Sequence, residues 1–84
     1  MLNTKVKLFA MLREKAGTSE LHLKLPKACT VADLRAEVAR RFPELAVSAA
    51  AAMVAVNAEY VEESHFLREG DEVALIPPVS GGAP

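Results

Sequence analysis

The segment from Thr30 to Phe42 constrains the fold most, because it is the longest stretch whose apolar residues follow helical spacing. Its stripe consists of Val31, Leu34, Val38 and Phe42. The opposite side, which we expect to face solvent, carries Arg35, Glu37, Arg40 and Arg41. A helix with one apolar face has to bury that face against another element. In a chain of 84 residues, a sheet beneath the helix is the compact way to do so. We therefore predict one main helix packed on one face of a sheet.

Both ends of this helix carry sequence signals. Thr30 is followed three residues later by Asp33, which resembles a capping box with Asp in place of the usual Glu. Asp33 also lies favourably at the positive end of the helix dipole. Pro43 ends the helix, because the residue before a proline avoids the α region.

Polar and apolar residues alternate with a period of two over residues 5–10 and 20–25, which predicts two strands. Residues 53–56, 59–61 and 72–76 are assigned as three further strands. Residues 11–16 favour a short helical turn that Gly17 ends, and Asn57-Ala58 is a plausible turn. Residues 45–52 are ambiguous, since their alanines favour a helix but the segment is short.

This element order predicts an α+β fold of the ubiquitin-like β-grasp type. It would contain a mixed sheet of about five strands with one main helix on one face. The first two strands would pair antiparallel, and the first and last strands would be parallel neighbours. Pro77 and Pro78 cannot donate to a strand ladder, so the sheet ends there. We predict a domain over residues 1–78 and a flexible tail over residues 79–84.

Composition argues against several classes of protein. The single cysteine, Cys29, cannot form an intramolecular disulfide and fits a reducing compartment. No apolar run reaches the roughly 18 residues that cross a bilayer, and Lys5 and Lys7 interrupt the short apolar stretch at the start. His22 and His65 lack metal-ligand spacing with the cysteine, so no metal site is expected. We expect a cytoplasmic protein without a membrane segment.

Charge is divided unevenly along the chain. Residues 1–42 carry nine Lys/Arg and four Asp/Glu, whereas residues 43–84 carry one and seven, which leaves a net charge of −1. Such a division can steer a partner, although folding can also interleave the two halves. Nucleic-acid binding is disfavoured, because the basic residues are scattered and aromatic residues make up only 5% of the chain.

The tail contains Gly81-Gly82, followed by Ala83-Pro84. It holds too little apolar surface to offset its ordering entropy, so we predict that it is mobile. Two residues without side chains can pass through a narrow channel and bring a backbone carboxylate to another protein's catalytic groups. That carboxylate could be activated as an acyl adenylate. A Gly-rich end with no function fits the composition equally well.

An apolar cluster is predicted where the sheet meets this tail. Phe9 and Ile76 point outward at the ends of the first and last strands, so parallel pairing brings them to the same edge. Tyr60, on the short return strand, could complete the cluster. An exposed apolar cluster on a charged sheet face is a candidate partner site. Arg13 could support partner contacts electrostatically. The alternative is that local packing partly buries each residue.

Three blocks of the sequence resemble the small subunit of molybdopterin synthase (MoaD), a ubiquitin-like sulfur carrier. The first two blocks are Leu8-Phe9-Ala10-Met11-Leu12-Arg13-Glu14 and Ala55-Val56-Asn57. The third and most specific block joins Gly70-Asp71-Glu72-Val73-Ala74 to Pro77-Pro78-Val79-Ser80-Gly81-Gly82. Together they make the resemblance extend over nearly the whole chain.

The resemblance implies that the terminal glycine, Gly82 here, is adenylated with ATP by an E1-like enzyme (MoeB-like) and then converted to a thiocarboxylate. The tail would enter a large subunit (MoaE-like), where the sulfur passes to cyclic pyranopterin monophosphate. Gly81 would give access to Gly82. The residues expected to contact partners are Phe9, Arg13, Tyr60, Ile76, Pro77, Pro78 and Val79. The chain would bind no cofactor and would be a non-catalytic subunit of a heterotetramer, with the catalytic groups on its partners.

Ala83 and Pro84 depart from the family pattern, which ends at the second glycine. Gly82 is therefore an internal residue without a free carboxylate. Removal of the two residues by a processing protease would expose it, and a carrier that is not charged at Gly82 is the alternative.

Three other functions remain open for a chain with these features. One is a sulfur carrier for thiamine, cysteine or tRNA thiolation, and another is a ubiquitin-like modifier that forms isopeptide bonds with lysines. A third is a plain binding module that does not use its tail. Pro77-Pro78 before Val79 favours the molybdopterin branch, since the other sulfur carriers typically lack that proline pair.

Overall fold

The computed structural model describes residues 1–78, which form a five-stranded sheet and three α-helices. The strands are β1 (Leu2–Leu8), β2 (Glu20–Leu25), β3 (Met53–Val56), β4 (Glu59–Tyr60) and β5 (Glu72–Ile76). The helices are α1 (Ala10–Ala16), α2 (Val31–Arg41) and α3 (Ala46–Ala51), with a 3-10 turn at Pro43–Leu45. Among these described residues, no helix is long and apolar enough to span a membrane.

The strands lie in the order β2-β1-β5-β3-β4. β1 is antiparallel to β2 and parallel to β5, and β3 is antiparallel to both β5 and β4. The register of the central parallel pair places Lys5 opposite Glu72 and Leu8 opposite Leu75. The predicted β-grasp topology, with the first and last strands side by side, is confirmed.

The core lies between α2 and one face of the sheet. The helix contributes Val31, Leu34 and Val38, all fully buried, and β1 contributes Val6 and Leu8. Further core residues on the other strands are Leu21, Leu23, Leu25, Val54, Val56, Val73 and Leu75. Burial of every second residue on β1, β2 and β5 directs one face of the sheet toward α2 and gives a two-layer fold.

The predicted capping box at the start of α2 is present. The Asp33 backbone N–H donates to Thr30 Oγ1 at 3.2 Å, and the Thr30 N–H donates to Asp33 Oδ2 at 3.0 Å. These two bonds satisfy donors that the first helical turn cannot satisfy itself. The helix then ends at Arg41, with Phe42 as its C-cap before Pro43.

The structure corrects several predicted boundaries. β1 covers Leu2–Leu8 rather than residues 5–10, because the buried alternation extends back through Thr4 to Leu2, and Phe9 is already the N-cap of α1. The return strand stops at Tyr60 instead of continuing to Val61. The ambiguous segment 45–52 contains α3, whose Ala49 is fully buried.

Arg35 was assigned to the solvent side of α2, and that assignment is wrong. Its Nη1 donates to the backbone carbonyls of Ala49 at 2.6 Å and Ala52 at 2.7 Å, at the end of α3. Its Nε also donates to Glu63 Oε1 at 3.1 Å, and this hydrogen bonding lowers the pKa of the Glu63 carboxyl. The side chain thus joins α2, α3 and the following loop, where the C-terminal carbonyls of a short helix need donors.

Candidate functional site

The face of the sheet that α2 does not cover carries one row of residues across all five strands. Strand register places Glu20, Lys7, Ala74, Ala55 and Tyr60 opposite one another in that order. The centre of the row therefore consists of two alanines, and the larger side chains lie at its sides. A row with small residues at its centre forms a depression in the sheet surface.

Phe9, Tyr60 and Ile76 line a groove of about 280 Å³ around this row, which we call the open-face groove. Its remaining lining residues are Lys7, Ala55, Ala58, Glu72 and Ala74. Phe9 is 43% exposed and Tyr60 63% exposed. The structure thus brings together Phe9, Tyr60 and Ile76, as predicted from the outward-facing strand positions and the expected strand order. Exposed aromatic side chains around a concave apolar floor are typical of a protein-binding surface.

One edge of the open-face groove is charged. Lys7 Nζ lies 2.8 Å from Glu72 Oε2, and their hydrogen bond raises the pKa of the Lys7 ammonium and lowers the pKa of the Glu72 carboxyl. Both side chains are substantially exposed, so the pair contributes little to stability. A polar rim around an apolar centre is the usual arrangement of a protein interface.

The two-residue turn between β3 and β4 positions Tyr60. Asn57 and Ala58 both have left-handed backbone conformations, with φ of 52° and 70°, as a type I′ hairpin requires. Asn57 is well suited, because its Oδ1 accepts from the Glu72 N–H at 3.0 Å and its Nδ2 donates to Asp71 Oδ1 at 3.0 Å. Ala58 has no such compensation and carries the steric cost of a Cβ in this region.

Replacing Ala58 with glycine should therefore stabilise the domain by about 0.5–1 kcal/mol, since glycine adopts a positive φ without strain. The midpoint of urea unfolding should rise with no change in the slope of the transition. Asn57→Gly is the matched control: it keeps the backbone freedom but loses two side-chain hydrogen bonds, so it should destabilise. An Ala58→Gly midpoint at or below that of the natural protein would contradict the strain argument.

Pro77 and Pro78 do not line the open-face groove. They line a second apolar groove of about 260 Å³ together with Met11, Val47, Ser48 and Ala51. We call this the helix-face groove, because α1 and α3 form it. Arg13 is exposed on α1 and lines neither groove. Val79, Gly81 and Gly82, which carry the predicted tail chemistry, lie outside the described residues.

Two features of the open face were missed by the sequence reasoning. Met53 is paired with Ile76 and is exposed on the same face. Ala55 and Ala74 form the centre of the row. The period of β3 already places Met53 and Ala55 on one face, opposite the buried Val54 and Val56. What the sequence lacks is the register between β3 and β5, which decides that this face adjoins Ile76.

Cys29 and the two histidines take no part in either groove. Cys29 is buried, and its Sγ lies 3.5 Å from the Thr30 carbonyl oxygen. Burial raises the pKa of the thiol, with further contributions from the charges of Asp33 and Glu37. Burial and a raised pKa both disfavour the thiolate, so the structure argues against Cys29 as an activated nucleophile.

Comparison with known proteins decides the family. The model of the ThiS family matches residues 6–82, which is nearly the whole chain. The chain belongs to the ThiS family. The match includes both Gly81 and Gly82, and Ala83 and Pro84 lie beyond it. The predicted resemblance to ubiquitin-like sulfur carriers is thus confirmed at the level of the family.

Individual relatives agree with this assignment. A molybdopterin synthase sulfur carrier subunit from Arabidopsis thaliana is 40% identical, with the match covering 93% of this chain and 81% of that protein. A Pyrococcus furiosus structure provisionally assigned as molybdopterin converting factor subunit 1 has a TM-score of 0.84 at 33% identity, covering 94% and 100% of the two chains. The small archaeal modifier protein 1 of H. volcanii has a TM-score of 0.83 at 27% identity, covering 94% and 100%.

Proposed function

We propose that this chain is the sulfur carrier subunit of molybdopterin synthase and acts in molybdenum cofactor biosynthesis. The observation that carries the proposal is the similarity to a curated molybdopterin synthase sulfur carrier subunit over 93% of the chain. The family match that extends through Gly82 supports it, because a carrier of this kind needs its glycine end. The open-face groove beside the last described residues supplies a surface for the partner that receives that end.

The chemistry we propose begins with removal of Ala83-Pro84 by a processing protease. The freed Gly82 carboxylate would attack the α-phosphorus of ATP on an E1-like activating enzyme, releasing pyrophosphate and forming an acyl adenylate. A sulfur nucleophile at the sulfide level would then displace AMP and leave a thiocarboxylate. Gly81 would keep the approach narrow. ATP would be held by the activating enzyme, and this chain would be the acyl substrate.

The thiocarboxylate would act inside a second, large subunit, which we propose binds the open-face groove. Phe9, Tyr60 and Ile76 offer that subunit a desolvated anchor of the kind that dominates interface energies. The sulfur would pass to cyclic pyranopterin monophosphate on catalytic groups of the partner. In this scheme residues 1–78 form the docking domain and residues 79–84 the reactive tail. A single buried cysteine suits a cytoplasmic location.

A protein modifier is the second candidate function. The similarity to small archaeal modifier protein 1 favours it, since that fold match is nearly as good as the one with the converting-factor subunit. A modifier would use the same activated glycine but would transfer the acyl group to a lysine amine. The two functions therefore differ in what becomes of Gly82 after activation.

Deleting the gene in its own cells separates these candidates. If the chain is the sulfur carrier, molybdopterin should fall to background, and a plasmid copy should restore it. A copy lacking residues 81–84 is the matched control and should fail. An N-terminal epitope tag, which leaves the tail free, would reveal lysine-linked conjugates by mass spectrometry. Abundant conjugates together with normal molybdopterin in the deletion strain would reject the carrier in favour of the modifier.

A further inference from the structure

The last described residues lie between two apolar grooves. Ile76 lines the open-face groove, whereas the next two residues, Pro77 and Pro78, line the helix-face groove. The chain thus passes from one apolar surface to another within three positions. Anything that surrounds the chain at this point meets both surfaces.

The helix-face groove is open and apolar. Val47 is 83% exposed and Met11 50% exposed, and Met11 Sδ lies 3.8 Å from Ser48 Oγ across the gap between α1 and α3. Burial of Ala49 is what holds α3 against the core, so the fold itself does not require an apolar residue at position 47. An exposed valine and methionine beside two prolines form an apolar patch that a partner can cover.

One basic side chain, that of Lys15, lies beside this groove. Lys15 Nζ donates to Ser48 Oγ at 3.2 Å, and within residues 1–78 it has no ion pair with a carboxylate. Arg13 is exposed on the same helix. The groove therefore suits an apolar side chain of a partner that also presents a carboxylate near Lys15.

Chain length keeps such a partner close. Gly82 lies only four positions beyond Pro78, and a fully extended chain spans at most about 3.6 Å per residue, or about 14 Å in all. A partner whose catalytic groups reach Gly82 must therefore come within that distance of Pro78. The surface of that partner then lies close to both grooves, which adjoin this part of the chain.

The usual size of a subunit interface also indicates that the partner contacts more than the open-face groove. A stable subunit interface buries about 800 Å² on each partner and comprises about 20–30 residues a side. The eight residues of the open-face groove are too few for that. Extending the contact around the last described residues adds the helix-face groove without moving the partner away from Gly82.

We propose that the helix-face groove is a second contact surface for the same large subunit that takes the open-face groove. An apolar side chain of that subunit enters between α1 and α3 against Val47 and Met11, and a carboxylate of the subunit pairs with Lys15. This inference rests on the proposed function, because it assigns the second surface to the synthase partner. The two grooves together form a clamp site around the base of the reactive tail.

The test measures binding of the purified large subunit from the same organism to variants of this chain. Val47→Asp should weaken binding at least about tenfold, because it places a carboxylate in a desolvated apolar contact. Lys15→Glu should weaken it by a smaller factor that grows at low salt. Phe66→Asp is the matched control: it is an exposed apolar residue that lines neither groove and should leave affinity unchanged. Circular dichroism confirms that each variant is folded.

Phe9→Asp is included so that the two proposals can fail separately. If Phe9→Asp weakens binding and Val47→Asp does not, the helix-face inference is wrong and the proposed function stands. If the natural chain does not bind the large subunit at all, the proposed function fails and this inference fails with it. A loss of adenylation by the activating enzyme with unchanged large-subunit affinity would assign the groove to the other partner and overturn the inference as stated.

Discussion

A chain that ends at Gly82 should be adenylated by its activating enzyme, whereas the chain that continues to Pro84 should give no adenylate. The physical reason is that an internal glycine has no carboxylate to attack the α-phosphorus of ATP. The measurement is pyrophosphate release with each chain. We expect steady turnover with the chain that ends at Gly82 and only background release with the chain that continues to Pro84. Adenylation of the longer chain at an equal rate, with its mass unchanged, would show that Gly82 is not the reacting group.

A chain shortened to Gly81 is the control for this experiment. It has a terminal carboxylate, but that carboxylate lies one residue, about 3.5 Å, short of its position in the longer chain. Misplacement of reacting atoms by even 1 Å can cost on the order of 100-fold in rate. We therefore expect at least about a 100-fold loss relative to the chain that ends at Gly82. Equal rates for both would mean that any C-terminal carboxylate serves, and that the glycine pair has no positional role.

Phe9→Asp should produce the largest loss of partner affinity among single substitutions on the domain. Phe9 lies at the edge of the open-face groove, next to the β1–β5 pair that leads into the tail. Truncating or charging such an anchor typically costs about 2–4 kcal/mol, which corresponds to roughly 30- to 1,000-fold in the dissociation constant. Titration calorimetry with the large subunit would measure it.

Stability measurements distinguish this effect from unfolding. Phe9 is the N-cap of α1 and is 43% exposed, so the free energy of unfolding should change by less than about 1 kcal/mol. Phe9→Leu keeps an apolar group and should retain most of the affinity, while Phe66→Asp should retain all of it. If Phe9→Asp and Phe66→Asp bound equally well, the open-face groove would not be the docking surface.

Much of the fold follows from local patterns, because the patterns and the tertiary structure agree. The two segments with alternating polar and apolar residues form β1 and β2, and α2 begins directly after its N-cap Thr30, as the capping box predicts. The boundaries were less predictable. β1 begins three residues earlier than expected because Thr4, a polar residue, is buried on the core face, and no local pattern shows that.

The two grooves differ in how far the sequence could predict them. The sequence predicted a cluster of Phe9, Ile76 and Tyr60 from their outward-facing positions and from parallel pairing of the first and last strands. The three residues do lie around one groove. The helix-face groove was missed because its lining comes from three separate segments. α1 and α3 approach each other only through packing, and the segment that forms α3 was itself ambiguous. Arg35 was misplaced for a similar reason, since its acceptors belong to α3.

The most direct test of the account is the intact mass of the protein from cells that are actively making molybdopterin. The sulfur-carrier proposal predicts a chain that ends at Gly82, with part of the population heavier by the exchange of one oxygen for sulfur. Treatment with an alkylating reagent should modify that heavier species at its C-terminus, and the buried thiol of Cys29 should stay unmodified in the folded protein. A chain that still carries Ala83-Pro84, with no sulfur-containing species under those conditions, would contradict the central claim.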